Sequence, residues 1–99
     1  RLARDFPGTN IVLDHLGTPL GVGPYAGREE EIFSIWKRDL AELARCGNVV
    51  IKLGGLAMPW NGFGFEKQPR PPTSDELVAR QNRYYQFAIQ TFGPERCMF

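Results

Sequence analysis

Three short apolar blocks alternate along the chain with two longer stretches in which apolar positions return every three or four residues. Ile11-Val12-Leu13-Asp14-His15 and Asn48-Val49-Val50-Ile51-Lys52-Leu53 each contain consecutive aliphatic side chains, many of them β-branched. That pattern predicts strands buried on both faces, as in a parallel sheet. Cys97-Met98-Phe99 begins a third such block. Between the first two, Ile32, Trp36, Leu40 and Leu43 fall on one face of a helix predicted over about Arg28 to Arg45. Glu29, Glu30 and Glu31 suit the positive end of its dipole, Gly47 suits the residue after its last turn, and Lys37, Arg38 and Glu42 point outward. Thr73-Ser74-Asp75-Glu76 has the spacing of a capping box and starts a second helix reaching about Phe92. Leu77, Tyr84 or Tyr85, Ala88 and Phe92 form its expected inner face, and Gly93-Pro94 stops it. Arg1 to Phe6 reads as a last helical turn halted by Pro7-Gly8.

Strand, loop, helix, strand, loop, helix, strand is the α/β order, and it implies a parallel β-α-β-α-β segment. A closed barrel and an open doubly wound sheet both fit the order. Connections after strands are long and rich in Gly and Pro (Gly17 to Pro24, Gly54 to Pro72), whereas those after helices are short. In both architectures chemistry sits at the carboxyl ends of strands, on the long-loop side. The last residues read as a strand just beginning, so the chain is expected to be part of a longer protein. A self-contained small domain with an edge strand is the alternative.

Composition narrows the function classes. Apolar residues make up 42% and charged residues 23%, which excludes wholesale disorder. Twelve Lys and Arg against 11 Asp and Glu leave a net charge of +1 with no basic block, so nucleic acid is not an expected partner. No apolar run approaches the ~18 residues of a membrane span. Cys46 and Cys97 fit neither a redox pair nor a zinc ribbon, and a reduced cytoplasmic setting is the simplest expectation for them.

Three sets of side chains carry candidate chemistry. His15, the sole histidine, closes the first strand block, where alternation puts it on the face of Ile11 and Leu13 with Asp14 on the other. It could ligate a metal, polarise a carbonyl or move protons; the plainer reading is a strand-end histidine bonded to the next loop. Lys52 ends the second block, within reach of either the mouth beside His15 or Asp14. Met58, Trp60 and Asn61, with Phe63 and Phe65, could line an apolar pocket containing one amide, or could pack the loop against itself. No dinucleotide fingerprint, Walker loop, HExxH or nucleophile elbow is present.

Ile11 to Pro19 (IVLDHLGTP), Val49 to Leu56 (VVIKLGGL) and Phe92 to Phe99 (FGPERCMF) together resemble the amidohydrolase-related family, in particular its lactonase-like metal-dependent hydrolases. The resemblance implies that residues 1–99 are part of a TIM (β/α)8 barrel, its last three strands and the helices between them, out of roughly 250 residues in such a barrel. It implies cleavage of a lactone or related ester or amide by activated water, with decarboxylation as an alternative chemistry of the superfamily and a non-catalytic α/β binding module as the alternative of another class. His15 matches the strand-end histidine that contacts the metal or the scissile carbonyl in relatives. Lys52 matches the lysine of the next strand, and Met58, Trp60 and Asn61 fall where relatives place substrate-binding residues. The implied cofactor is a divalent metal, zinc by expectation, though some relatives use none. The remaining ligands and the water-activating aspartate would lie outside these residues, so the 99 residues are expected to be inactive by themselves. The implied partner is a small-molecule substrate, and a homo-oligomer is compatible. Some lactonases of the family carry an arginine in this loop for a substrate carboxylate; the loop after Lys52 has none before Arg70, so the resemblance argues against a dicarboxylate substrate.

Overall fold

Ile11–Leu13 (β1), Val49–Lys52 (β2) and Cys97–Met98 (β3) form one parallel sheet in chain order in the computed structural model, which describes residues 1–99. Ile11 pairs with Val49 and Leu13 with Ile51; Ile51 in turn pairs with Cys97, and Lys52 with Met98. Because side chains alternate across a strand, this register gathers Ile11, Leu13, Val49, Ile51 and Cys97 on one face. Val49 and Ile51 are fully buried there, with the other three packed around them. The opposite face carries Val12, Val50, Lys52 and Met98, and within this chain it is open: Val12 is 52% and Met98 44% exposed. The strands were expected to be covered on both faces; here the helices cover one.

That covering layer consists of Glu29–Ala44 (α2) and Ser74–Phe92 (α3), which follow a short first helix, Leu2–Asp5 (α1). Trp36 and Leu40 of α2 are buried, as are Tyr84, Ala88 and Phe92 of α3. The helices meet through an aromatic cluster. Phe33 and Tyr84 lie edge to face at 4.8 Å, Trp36 and Tyr84 at 5.1 Å, and Phe63 from the loop after β2 adds a third edge to Tyr84 at 5.9 Å. Such pairs add about 0.5–1.5 kcal/mol each beyond the area they bury. Arg83 lies over the Phe33 ring and bonds Glu30, tying the outer rim of the two helices. The capping box forms in full: the Glu76 N–H donates to the Thr73 hydroxyl, and the Thr73 N–H donates to the Glu76 carboxylate. The inner face of α3 uses Tyr84, with Tyr85 half-buried beside it, and it also includes Gln81, only 6% exposed.

At the amino ends of the strands two side chains satisfy the free backbone carbonyls. Arg96 donates to the carbonyls of Ala44, Cys46 and Val49, and to that of Phe92. It therefore serves the orphan acceptors where α2 and α3 end. Asn48 does the same for α1 and the turn after it, donating to Ala3, Phe6 and Thr9. The expected glycine cap of α2 is thereby corrected. The residue after α2 is Arg45 in right-handed conformation, and Gly47 is not in the left-handed region. With Arg96 supplying the donors, a glycine cap is not required.

Arg96→Met should destabilise the chain by about 2–4 kcal/mol, because it strands several half-buried carbonyls at once; urea unfolding measures it. Burial raises the Tyr84 and Tyr85 phenols above the ordinary tyrosine value. A raised folded-state value means the folded form holds its proton longer than the unfolded form. Stability is therefore full below the ordinary tyrosine range and falls as pH rises through it, which thermal unfolding above about pH 10 will register.

Candidate active site

β1 was expected to run through His15, but it stops at Leu13. The reason is Asp14, whose Oδ1 accepts the His15 backbone N–H at 3.0 Å and so takes a donor that a continuing strand would need. The chain then makes a tight turn, Asp14–Gly17, with positive φ at His15 (48°), Leu16 (53°), Gly17 (73°) and Thr18 (49°). Left-handed backbone costs non-glycine residues about 1–2 kcal/mol each, so the surroundings must hold this turn. Leu16 is completely buried, its carbonyl accepts the Trp36 indole N–H at 2.7 Å, and the Thr18 N–H returns to the His15 carbonyl at 2.9 Å. His15 consequently does not share a face with Ile11 and Leu13. The reversal of handedness re-aims it.

The turn brings together what the alternation of a strand would have kept apart. His15 Nε2 lies 3.3 Å from one Asp14 oxygen, and Lys52 Nζ lies 3.5 Å from the other. Asp14 thus bridges the carboxyl ends of β1 and β2, with all three side chains partly open to solvent. The other side of the imidazole rests on Gly55, where the chain leaves β2 with φ +80°. A Cβ on Gly55 would overlap the ring, lying 2.8 Å from its Cγ, so this contact requires glycine. Neither Asp14 nor Gly55 stands out from periodicity. The available signals are an acidic residue directly before the histidine and a Gly54-Gly55 pair directly after the strand.

The loop residues separate. Phe63 and Phe65 stack on one another and are buried in the core, and Asn61 is 7% exposed with its amide donating to the Pro19 carbonyl at 2.8 Å. The Gly21 N–H donates to the Trp60 carbonyl at 2.9 Å, so the two long loops are sewn together across Gly21 and Gly62, which pass too close for any Cβ. Asn61 and Phe63 line a cavity of about 220 Å³ together with Pro19, Gly21, Tyr25 and Tyr84. Met58 and Trp60 are not part of its wall, and the Trp60 side chain is 45% exposed. The five residues therefore do not form one pocket; most of them pack the loop. Arg70 is also committed, bonding Glu76 at 2.7 Å. That partner holds the Glu76 carboxyl below the usual carboxylate range, with help from the Thr73 N–H.

The amidohydrolase family pattern matches residues 1–99. The chain belongs to the amidohydrolase family. It is 33% identical over 99 residues to the uncharacterized protein y4mH of Sinorhizobium fredii, spanning 99% of this chain and 26% of that one. It also superimposes on the crystal structure of an amidohydrolase from Burkholderia multivorans with bound HEPES, at a TM-score of 0.75 and 28% identity. That match covers 98% of this chain and 31% of the Burkholderia protein. The chain thus spans a third or less of the length of these relatives.

Amidohydrolases are generally metal-dependent. The donors of these residues do not by themselves make a metal centre: no three His, Cys, Asp or Glu side chains converge, and the His15–Asp14 pair has an ammonium beside it. Structural zinc sites use four ligands and catalytic ones three plus water. Cys46 and Cys97 are unbridged, and no helix is long and apolar enough to cross a membrane.

The cluster should contribute little to stability. Asp14→Asn, which weakens two exposed pairs, should shift unfolding by less than about 1 kcal/mol. Gly55→Ala should cost more, about 1–2 kcal/mol, from left-handed strain plus the clash with His15; denaturant titration of the two variants distinguishes them.

Proposed function

We propose that these 99 residues supply part of the active-site rim of a lactonase-like hydrolase built on a TIM barrel, which opens a lactone or a related ester or amide with activated water. The observation that carries this reading is the Lys52–Asp14–His15 cluster at the carboxyl ends of two adjacent parallel strands, where barrel enzymes keep their chemistry. The open sheet face of Val12, Val50, Lys52 and Met98 is the face that a barrel turns inward.

In this reading the His15 imidazole orients and polarises the scissile carbonyl. A donor placed where negative charge develops is worth most in the transition state. Asp14 holds the imidazole and pairs with Lys52, so a carboxylate stands beside the ammonium, which suits an uncharged ring ester. No arginine is free in the loop after β2, since Arg70 is held by Glu76; that supports a substrate without a second carboxylate. Lys52 contacts the substrate's polar edge, and Met58, Trp60 and Asn61 act on specificity from the loop. His15 can serve as one ligand of a divalent metal, the others coming from outside these residues. Water activation also lies outside them, so the isolated 99 residues would not turn over.

The test is a steady-state assay of the protein at full length against sugar lactones and simple aryl esters, with carbon dioxide release measured in parallel. Ring opening with a loss of about 10²–10³ in kcat/KM for His15→Asn is expected. Carbon dioxide release in place of ring opening would assign the decarboxylase chemistry instead. Unchanged kcat/KM in His15→Asn would remove His15 from the site, and turnover by the 99 residues alone would overturn their dependence on the rest of a barrel.

A further inference from the structure

We infer that Trp36 is the positioning residue for His15, acting at a distance through the Leu16 carbonyl; this rests on His15 being a working group of the proposed site. Trp36 belongs to α2, which contributes nothing else to the cluster. The side chain is buried, only 8% exposed, among Phe33, Tyr84 and Phe87, a setting that an aliphatic or phenyl side chain could fill equally well. The indole adds an N–H, and a buried N–H needs an acceptor. The acceptor is Leu16, whose carbonyl would next be reached by Pro19, a residue without an N–H, and which therefore needs a donor from outside the turn. Each group removes the other's penalty.

The effect reaches His15, one residue back along the chain. β1 fixes the backbone before Asp14, the Thr18 N–H holds the His15 carbonyl, and the indole bond together with the complete burial of Leu16 fixes the next peptide, Leu16–Gly17. Held at both ends, His15 keeps its left-handed conformation, with φ 48° and ψ 42°. That conformation sets the imidazole on Gly55 with Nε2 toward Asp14. Without the indole donor, the Leu16 carbonyl is released to find another partner and the strained turn relaxes toward ordinary right-handed backbone. The ring then leaves Gly55 while the aromatic cluster stays filled.

The sole histidine of these residues gives a direct NMR readout in the protein at full length, once residues 1–99 are segmentally isotope-labelled so that the labelled imidazole protons belong to His15 alone. Replacing Trp36 with 3-benzothienylalanine keeps the bicyclic shape and substitutes sulfur for the N–H; Trp36→Phe is the genetically encoded companion. The unsubstituted chain should show a nuclear Overhauser effect between the His15 ring and the Gly55 α-protons. Both replacements should abolish it while leaving the methyl shifts of Val49 and Ile51 and the helical circular dichroism unchanged. Three results would overturn the inference. The Overhauser effect could be absent from the unsubstituted chain, or it could survive the benzothienyl replacement. It could also vanish only together with the Val49 and Ile51 signals, which would make Trp36 a packing residue. The readout needs no turnover, so failure of the hydrolytic reading, seen as an inert His15→Asn substitution in the assay, is distinguishable from failure of this one.

Discussion

The Arg96 guanidinium is the polar group on which the layout of this segment depends. A parallel sheet obliges every helix to end at the same edge, and helix ends leave carbonyls without partners. Arg96 reaches the ends of α2 and α3 as well as the start of β2, and Asn48 performs the same service for α1. With those carbonyls satisfied, the helix-to-strand connections can be short, and both helices are held at a fixed height above the sheet. The opposite edge is then free to carry long, irregular loops.

That division of labour explains why the candidate site can tolerate strain. The turn after β1 places non-glycine residues in left-handed backbone, and it is held from behind by a helix already anchored at its far end. On the other side, the exit from β2 is thinned to Gly54-Gly55 so that the imidazole can rest against backbone. Asp14 links the two strand ends electrostatically, through exposed pairs of small energetic value. The site is therefore positioned by backbone conformation and packing, with its charges left available.

The loops follow the same logic. The loop after β2 looks like a pocket because it is dense in aromatics, yet Phe63 and Phe65 are committed to joining it to α3 and to one another. Asn61 ties it to the loop after β1. What these residues provide is a stiff rim. The small share of its relatives that the chain spans accords with a sheet that has one face uncovered.

The sequence by itself determined the order of elements, the parallel sheet, the inner faces of both helices, the capping box and the end of each strand at which the long loops gather. Each is a local property: periodicity, caps and glycine or proline breaks act within a few residues, so they can be read from the residues alone. Tertiary structure decided the rest. Whether His15 continued β1 or turned away depended on Asp14 capturing its N–H and on Trp36, 20 residues beyond Leu16 in the chain, donating to the Leu16 carbonyl. Whether Gly47 or a distant arginine capped α2 depended on where β3 brought Arg96. Whether the aromatic loop formed a pocket or a packed rim depended on the face that α3 offered it. In each case the deciding partner is supplied by the folded arrangement, and a buried polar group takes whichever partner the fold brings within reach.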